Sequence, residues 1–186
     1  MNQLVLINGA PGSGKSTMAT AVAVDYELML ALDVDGLKHS LSRWEEDLSV
    51  SGLHARRLAL ALAREHLIAG YDVVLGQYLA RTAFIEELEE LAIQLDAQFI
   101  EFVLDINPDA LASRLRLRAE SPSRPEHAVN NRLVRAADAA GLVESIQGLR
   151  RARPHAIWVE ASGAQASTLK RIRAGLAPLT HRCEAT

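Results

Sequence analysis

The chain has 186 residues, 49% of them hydrophobic and 23% charged, so it is long and apolar enough to form one globular domain with a substantial core. Its net charge of -3 at pH 7 excludes an overall positive field that would attract nucleic acid. The single cysteine, Cys183, excludes an intrachain disulfide and is typical of a reducing compartment, so we expect a cytoplasmic protein.

Short apolar runs alternate with segments of helical periodicity along the chain. None of these runs approaches the roughly 20 residues needed to cross a bilayer, so we expect no association with a membrane. In chain order we predict a strand at residues 4–7, a helix at 16–24, a strand at 28–32, a helix from about residue 36, a helix at 53–69, a strand at 72–75, a helix at 83–95, a strand at 99–104, a helix from residue 107 to a break at 121–125, a helix at 126–137, a strand at 156–160 and a helix at 165–176.

This alternation predicts an α/β fold with three layers, in which a five-stranded parallel sheet lies between helices on both faces. We predict a single domain at residues 1–178, followed by a polar C-terminal tail at 179–186. Ligands of such sheets bind at the carboxyl ends of the strands, so the turns that follow the strands are where we expect the chemistry.

The turn after the first strand has the pattern of a P-loop, which is a glycine, four residues, and then Gly-Lys-Ser/Thr. Glycines let the backbone fold closely around a polyphosphate, and the exposed N–H groups of such a loop bind anions. Lys15 is expected to reach the outer phosphates of ATP, and the Ser16 hydroxyl to bind Mg²⁺. The predicted nucleotide-binding residues are Gly9, Ala10, Pro11, Gly12, Ser13, Gly14, Lys15, Ser16 and Thr17.

Two carboxylates follow the second predicted strand. Transfer of a phosphoryl group to a hydroxyl needs a carboxylate near the acceptor oxygen, and Asp35 is the candidate for that base. Asp33 is expected either to help hold Mg²⁺ and substrate or to cap the helix that begins near Gly36. Lys38 lies about one helical turn beyond Asp35 and could bind an anionic group of the substrate.

An arginine-rich helix precedes a proline-flanked break, an arrangement that predicts a short lid at about residues 118–128. Arg114 and Arg118 are four residues apart and share one helix face, while Arg116 points elsewhere and is expected to be solvated. Arginines stabilise the negative charge of a transferring phosphoryl group. Arg124, in the break itself, is a further candidate for substrate binding.

No acidic residue ends the third strand, where the chain reads Leu75-Gly76-Gln77-Tyr78. Many P-loop enzymes hold their metal with an acid at this place, so the metal site is expected to rest on Ser16, water and Asp33. Gln77 is expected to line the acceptor pocket, and Tyr78 either to do so or to pack under the next helix. Asp105, at the end of the fourth strand, is expected to cap a helix, with nucleotide sensing as the alternative.

The P-loop and the turn Val34-Asp35-Gly36-Leu37-Lys38 resemble those of small P-loop kinases in the AAA-type ATP-binding family. That group includes chloramphenicol phosphotransferase, zeta toxin and the kinase domain of phage polynucleotide kinase. The resemblance implies a P-loop NTPase fold similar to that of nucleoside monophosphate kinases, with a short lid. It also implies that the carboxylate at Asp35 acts as the base, that Arg118 contacts the phosphates and that Arg114 supports them.

These observations favour an ATP-dependent phosphotransferase that acts on a hydroxyl of a small molecule such as a nucleoside, a sugar or an antibiotic. A polynucleotide 5′-hydroxyl kinase is the first alternative, which the net charge and the scarcity of aromatic residues disfavour. A nucleotide-binding regulator without a phosphorylated substrate is the second alternative, and Asp35, Lys38 and the arginines argue against it.

Overall fold

The computed structural model describes residues 1–120 and 134–176, which contain one five-stranded sheet. All neighbouring strands are parallel, and their order across the sheet is β2-β3-β1-β4-β5. The predicted five-stranded parallel sheet is therefore confirmed. The strands are β1 (Gln3–Gly9), β2 (Leu30–Leu32), β3 (Val73–Gly76), β4 (Gln98–Asp105) and β5 (Ile157–Glu160).

Helices lie on both faces of the sheet, as the alternating pattern predicts. The connection from β1 through α1 to β2 crosses the sheet in one direction, and the connections through α3 and α4 cross it in the other, so right-handed connections place α1 on the face opposite α3 and α4. Helix α8 packs against α1, and α4 packs against α3. The helices of the described residues are α1 (Lys15–Ala23), α2 (Val34–His39), α3 (Leu48–Ile68), α4 (Ala83–Gln94), α5 (Pro108–Glu120), α6 (Ala139–Gln147), α7 (Leu149–Ala152) and α8 (Gln165–Ala174), with a 3-10 turn at Ala136–Asp138.

Strand β1 lies at the centre of the sheet, and all seven of its residues are buried. A continuous apolar run suits a parallel strand that is covered on both faces, whereas a strand with one solvated face alternates. The carboxyl end of β1 therefore lies between those of β3 and β4, and the turns after these strands meet there.

Two short helices between residues 139 and 152 were not predicted from the sequence. Gly141 lies inside α6 and Gly148 ends it, and glycines lower intrinsic helix propensity, so packing against α5 has to supply the stability of α6. Helix α3 begins five residues earlier than predicted because the Asp47 side chain accepts hydrogen bonds from Ser49 N and Val50 N and caps it. Strand β2 begins later than predicted because Leu28 has a φ of 49°.

Part of the predicted lid lies outside the described residues. Residues 118–120 belong to the end of α5, and Arg124 falls within residues 121–133, as does most of the helix predicted at 126–137. At the described end of that range, Val134 and Arg135 are not helical and a 3-10 turn follows, so a helix running to residue 137 is wrong. Cys183 also lies outside the described residues.

No helix in the described part of the chain is long and apolar enough to cross a membrane.

A buried asparagine joins the end of β1 to the segment after β3. Asn8 Nδ2 donates to Leu79 O at 2.9 Å, and Asn8 Oδ1 accepts from Leu79 N at 2.9 Å and from Gly9 N at 2.7 Å. The Asn8 side chain thus satisfies three backbone groups at the point where the P-loop begins.

Replacing Asn8 by alanine should lower the free energy of unfolding by about 2–4 kcal/mol, because it leaves buried backbone groups of Gly9 and Leu79 without partners. Chemical denaturation of the wild type and of Asn8→Ala measures the difference. A loss below about 1 kcal/mol would show that water or a shifted backbone replaces these bonds.

Candidate active site

The P-loop runs from the end of β1 into the first turn of α1. Gly14 has a φ of 105° and occupies the N-cap position of α1, a backbone conformation that L side chains rarely adopt. Gly12 has a φ of 89°, and a Cβ there would come within 2.8 Å of Leu115 Cδ2. Glycine is thus needed at both positions, by backbone conformation and, at Gly12, by the approach of α5.

Lys15 is buried at the start of α1, where its Nζ donates to Ala10 O at 2.9 Å. Burial lowers its pKa from 10.5 to about 8. The Asp35 carboxylate raises that pKa and the Arg118 guanidinium lowers it, both by smaller amounts than burial. The structure therefore brings Asp35 and Arg118 within electrostatic range of Lys15.

The loop also holds a buried hydroxyl whose hydrogen-bonding capacity is not used. Ser13 Oγ makes no hydrogen bond within the part of the chain that the structure describes. A Cβ at Gly9 would lie 2.8 Å from that oxygen, so the absence of a side chain at Gly9 leaves room for it. An unused polar group beside left-handed glycines and the amino end of a helix fits an anionic ligand such as a polyphosphate.

Asp35 lies in the first turn of α2, with 47% of its side chain exposed. Lys38 Nζ lies 3.4 Å from Asp35 Oδ1 and 5.1 Å from the centroid of the Trp44 ring, so α2 itself holds the lysine beside the carboxylate. Asp33 Oδ1 accepts from Asp35 N and Gly36 N at 3.1 Å each. Of the two expectations for Asp33, the geometry supports the helix cap.

The end of β3 lies directly against the P-loop. A Cβ at Gly76 would lie 3.0 Å from Lys15 C, Lys15 O and Ser16 N, all of them backbone atoms. Gln77 N donates to Ile7 O at 3.1 Å, which extends the pairing of β3 with β1 by one bond. A side chain at Gly76, acidic or otherwise, would therefore require the P-loop backbone to shift.

Arg114 joins the P-loop to the segment after β5. Its Nη1 donates to Ser13 O at 2.8 Å, and its Nη2 donates to Ala161 O at 2.6 Å and to Gly163 O at 2.9 Å. Burial lowers the pKa of both Arg114 and Arg118, and Arg116 is exposed as predicted. Arg114 is therefore placed to support the loop.

An open cavity of about 570 Å³ contains most of the predicted site residues. The lining residues that were not predicted from the sequence are Arg56 of α3, Gly76 of β3, Leu117 of α5, Val134 and Gln165. The buried residues of α3 recur every four positions and include Ala55, which directly precedes Arg56. This position next to the buried face was the only signal in the sequence that Arg56 lies near the site. Asp33 and Lys38 are not among the residues that line the cavity. The predicted residues that line it are Pro11, Gly12, Gly14, Lys15, Ser16, Thr17, Asp35, Gln77, Tyr78, Arg114 and Arg118.

Asp105 and Tyr78 make contacts that differ from the simplest expectations. Asp105 does not cap α5, which is capped by Asn107 through Ala110 N at 2.8 Å. Instead, the Asp105 carboxylate accepts from Gln147 Nε2 at 2.8 Å and from Arg150 Nη2 at 2.6 Å. Tyr78 lines the cavity, as one of its two expectations has it, and its hydroxyl lies 3.0 Å from the Ser145 hydroxyl of α6. Helix α6 is not the next helix, α4, so packing under α4 stays a prediction.

Comparison with known proteins identifies the family of this chain and structures of similar fold. The sequence matches the AAA domain family over residues 4–141, and a search of curated proteins gave no match. The fold is similar to that of a gluconokinase from Sinorhizobium meliloti 1021, with 19% identity, coverage of 94% of this chain and 90% of that chain, and a TM-score of 0.61. It is also similar to the tunicamycin resistance protein of Deinococcus radiodurans, with 13% identity, coverage of 96% and 99%, and a TM-score of 0.57.

A further similar structure is a chain of the Pnkp1/Rnl/Hen1 RNA repair complex, with 18% identity, coverage of 83% of this chain and 47% of that chain, and a TM-score of 0.61. At these identities the similarity concerns the fold. The family match confirms the resemblance to the AAA-type ATP-binding family that the sequence motifs indicate, and the similar structures confirm the expected fold.

Replacing Gly76 by alanine should lower the free energy of unfolding by about 1–3 kcal/mol, because the new methyl group forces the P-loop backbone to move. Gly52→Ala in α3 is the matched control, since a Cβ there meets no atom within 4 Å. Denaturant titrations measure the free energy of unfolding of both variants. If Gly76→Ala were as stable as Gly52→Ala, the steric argument would be contradicted.

Proposed function

The chain belongs to the AAA domain family, and we propose that it is an ATP-dependent phosphotransferase that moves the γ-phosphate of ATP to a hydroxyl of a small molecule. The observation that carries this proposal is that Asp35 and Lys15 line one cavity, so that a candidate base faces a phosphate-binding loop. The kinase named among the structural neighbours supports the same class of reaction.

The donor half of the reaction rests on the P-loop. Its left-handed glycines, the Ser13 hydroxyl and the amino end of α1 fit the phosphates of ATP, and Lys15 would neutralise their outer charge. Ser16 lines the cavity and would give its hydroxyl to Mg²⁺. When bound, that ion supplies positive charge at the phosphate oxygens.

The acceptor half rests on Asp35. Its carboxylate would accept a hydrogen bond from the acceptor hydroxyl, orient the oxygen toward the γ-phosphorus and take the proton. The new oxygen–phosphorus bond forms as the bond from phosphorus to the leaving ADP oxygen breaks. Lys38 keeps Asp35 in position, and Gln77 and Tyr78 would contact the acceptor from the end of β3.

Two arginines of α5 complete the donor side. Arg118 lies within electrostatic range of Lys15 and would stabilise the charge on the transferring group. Arg114 would act indirectly, because its guanidinium already holds the carbonyls of Ser13, Ala161 and Gly163. Binding of substrate by Arg124 and of Mg²⁺ or substrate by Asp33 remain predictions from the sequence, as does a single domain at 1–178.

Replacing Asp35 by asparagine should lower the rate of phosphoryl transfer by about 10²- to 10⁴-fold and leave ATP affinity close to that of the wild type, because the amide cannot take the proton. Transfer from γ-labelled ATP to pools of sugars, nucleosides, antibiotics and 5′-hydroxyl oligonucleotides is the assay. Asp109→Asn, on the exposed start of α5, is the matched control.

Transfer by Asp35→Asn at the wild-type rate would remove Asp35 from the role of base. Label on oligonucleotides alone would favour a polynucleotide kinase, and ATP binding without transfer to any pool would favour a regulator.

Nucleotide affinity should depend on pH through Lys15. With a pKa of about 8, the free protein loses the Lys15 ammonium as the pH rises above 8, while a bound polyphosphate favours the ammonium. Binding should therefore take up a proton above pH 8, and Kd should rise by up to about tenfold per pH unit there.

Titration calorimetry at pH 7 and 9 in buffers of different ionisation enthalpy measures this proton uptake. Lys15→Met should bind weakly and lose the dependence, which separates Lys15 from other groups that titrate near pH 8. Unchanged proton uptake in that variant would assign it elsewhere.

A further inference from the structure

The cavity holds more positive than negative charge among its described residues. Its charged lining consists of the carboxylate of Asp35 and the cations Lys15, Arg56, Arg114 and Arg118. Three of these cations have partners or neighbours at the P-loop: Lys15 bonds Ala10 O, Arg114 bonds three carbonyls and Arg118 lies near Lys15. Arg56 comes from α3, which contributes no other residue to this lining.

No carboxylate pairs with Arg56 within residues 1–120 and 134–176. Asp35 does not need Arg56 as a counter-charge, because Lys38 lies 3.4 Å from Asp35 Oδ1. The charge of Arg56 is thus left for a group that enters the cavity.

Arg56 is also held in place. Its side chain is half-buried, and its guanidinium carbon lies 5.4 Å from the centroid of the Phe84 ring at the start of α4. An aromatic ring stabilises a guanidinium that lies over it and leaves the N–H groups at its edge available. Those N–H groups form a planar fork that matches the two oxygens of a carboxylate or a phosphate.

We propose that the acceptor carries an acidic group, a carboxylate or a phosphate, which Arg56 binds while the acceptor hydroxyl meets Asp35. This inference rests on the proposed phosphotransferase function. The acceptor then extends from Arg56 of α3 to Asp35 of α2, so that its acidic group and its hydroxyl are held by residues of opposite charge. Arg56 acts as a specificity-determining residue that distinguishes acidic acceptors from neutral ones of the same size.

Paired acceptors test the charge requirement in the wild-type protein. Glycerate is compared with glycerol, gluconate with glucitol, and glucose 6-phosphate with glucose, with transfer from γ-labelled ATP as the readout. We expect kcat/KM for at least one acidic acceptor to exceed that of its neutral partner by about tenfold or more, as for a charge-assisted hydrogen bond. The first two pairs report on a carboxylate and the third on a phosphate.

Variants of two adjacent arginines assign the effect to a residue. Arg56→Met keeps the length of the side chain and removes its charge, and it should raise KM for the acidic acceptor by about 10- to 100-fold while KM for ATP changes little. Arg56→Lys should recover part of the loss, because a point charge replaces a fork. Arg57→Met is the matched control, since Arg57 is exposed on the same helix and does not line the cavity.

The outcomes separate the inference from the function. Neutral acceptors used as well as their acidic partners, or an equal loss with both kinds in Arg56→Met, would overturn the acidic acceptor and leave the phosphotransferase intact. No label on any acceptor, in a protein that binds ATP, would overturn both. If Arg56→Met does not fold, the comparison of acidic with neutral acceptors in the wild-type protein still tests whether the acceptor is acidic.

Discussion

The close contact between the end of β3 and the P-loop is the constraint on which the arrangement of the site depends. Gly76 approaches the backbone of Lys15 and Ser16 closely enough that even a methyl group there would force this backbone to shift. Because the two backbones touch, the residues after β3 face the start of α1 directly. Gln77 and Tyr78 therefore reach the cavity that the phosphate-binding loop opens into.

Charge in this cavity is divided between two sides. Lys15, Arg114 and Arg118 lie on the side of the P-loop. Burial, and to a smaller extent the Arg118 guanidinium, lower the pKa of Lys15. The other charged residues of the lining are Asp35 of α2 and Arg56 of α3, and Lys38 pairs with Asp35 without lining the cavity. Phosphoryl transfer to a hydroxyl uses such a division. Cations stabilise the phosphates of the donor nucleotide, and a carboxylate accepts the proton of the acceptor hydroxyl.

The sequence predicted those features whose physical cause is local. The apolar run before the P-loop predicts a buried strand, and glycine spacing predicts the loop because left-handed backbone conformations need glycine there. Helix α6 could not be predicted because packing against α5 has to stabilise it against Gly141 and Gly148, and α7 has only four residues. Arg56 was missed because its place in the cavity follows from the crossing of α3 over the sheet, which no local pattern encodes.

The hydrogen bond from Lys15 to Ala10 has a consequence for recognition. A lysine side chain that is free to rotate loses rotamer entropy when a ligand orders it, and that loss weakens binding. Here the ammonium is already ordered by a carbonyl of its own loop, so its entropy is lost when the protein folds. The loop is thus a preorganised cationic pocket, in which an incoming anion meets an ammonium that has N–H donors beyond the one bonded to Ala10 and does not have to immobilise a flexible side chain.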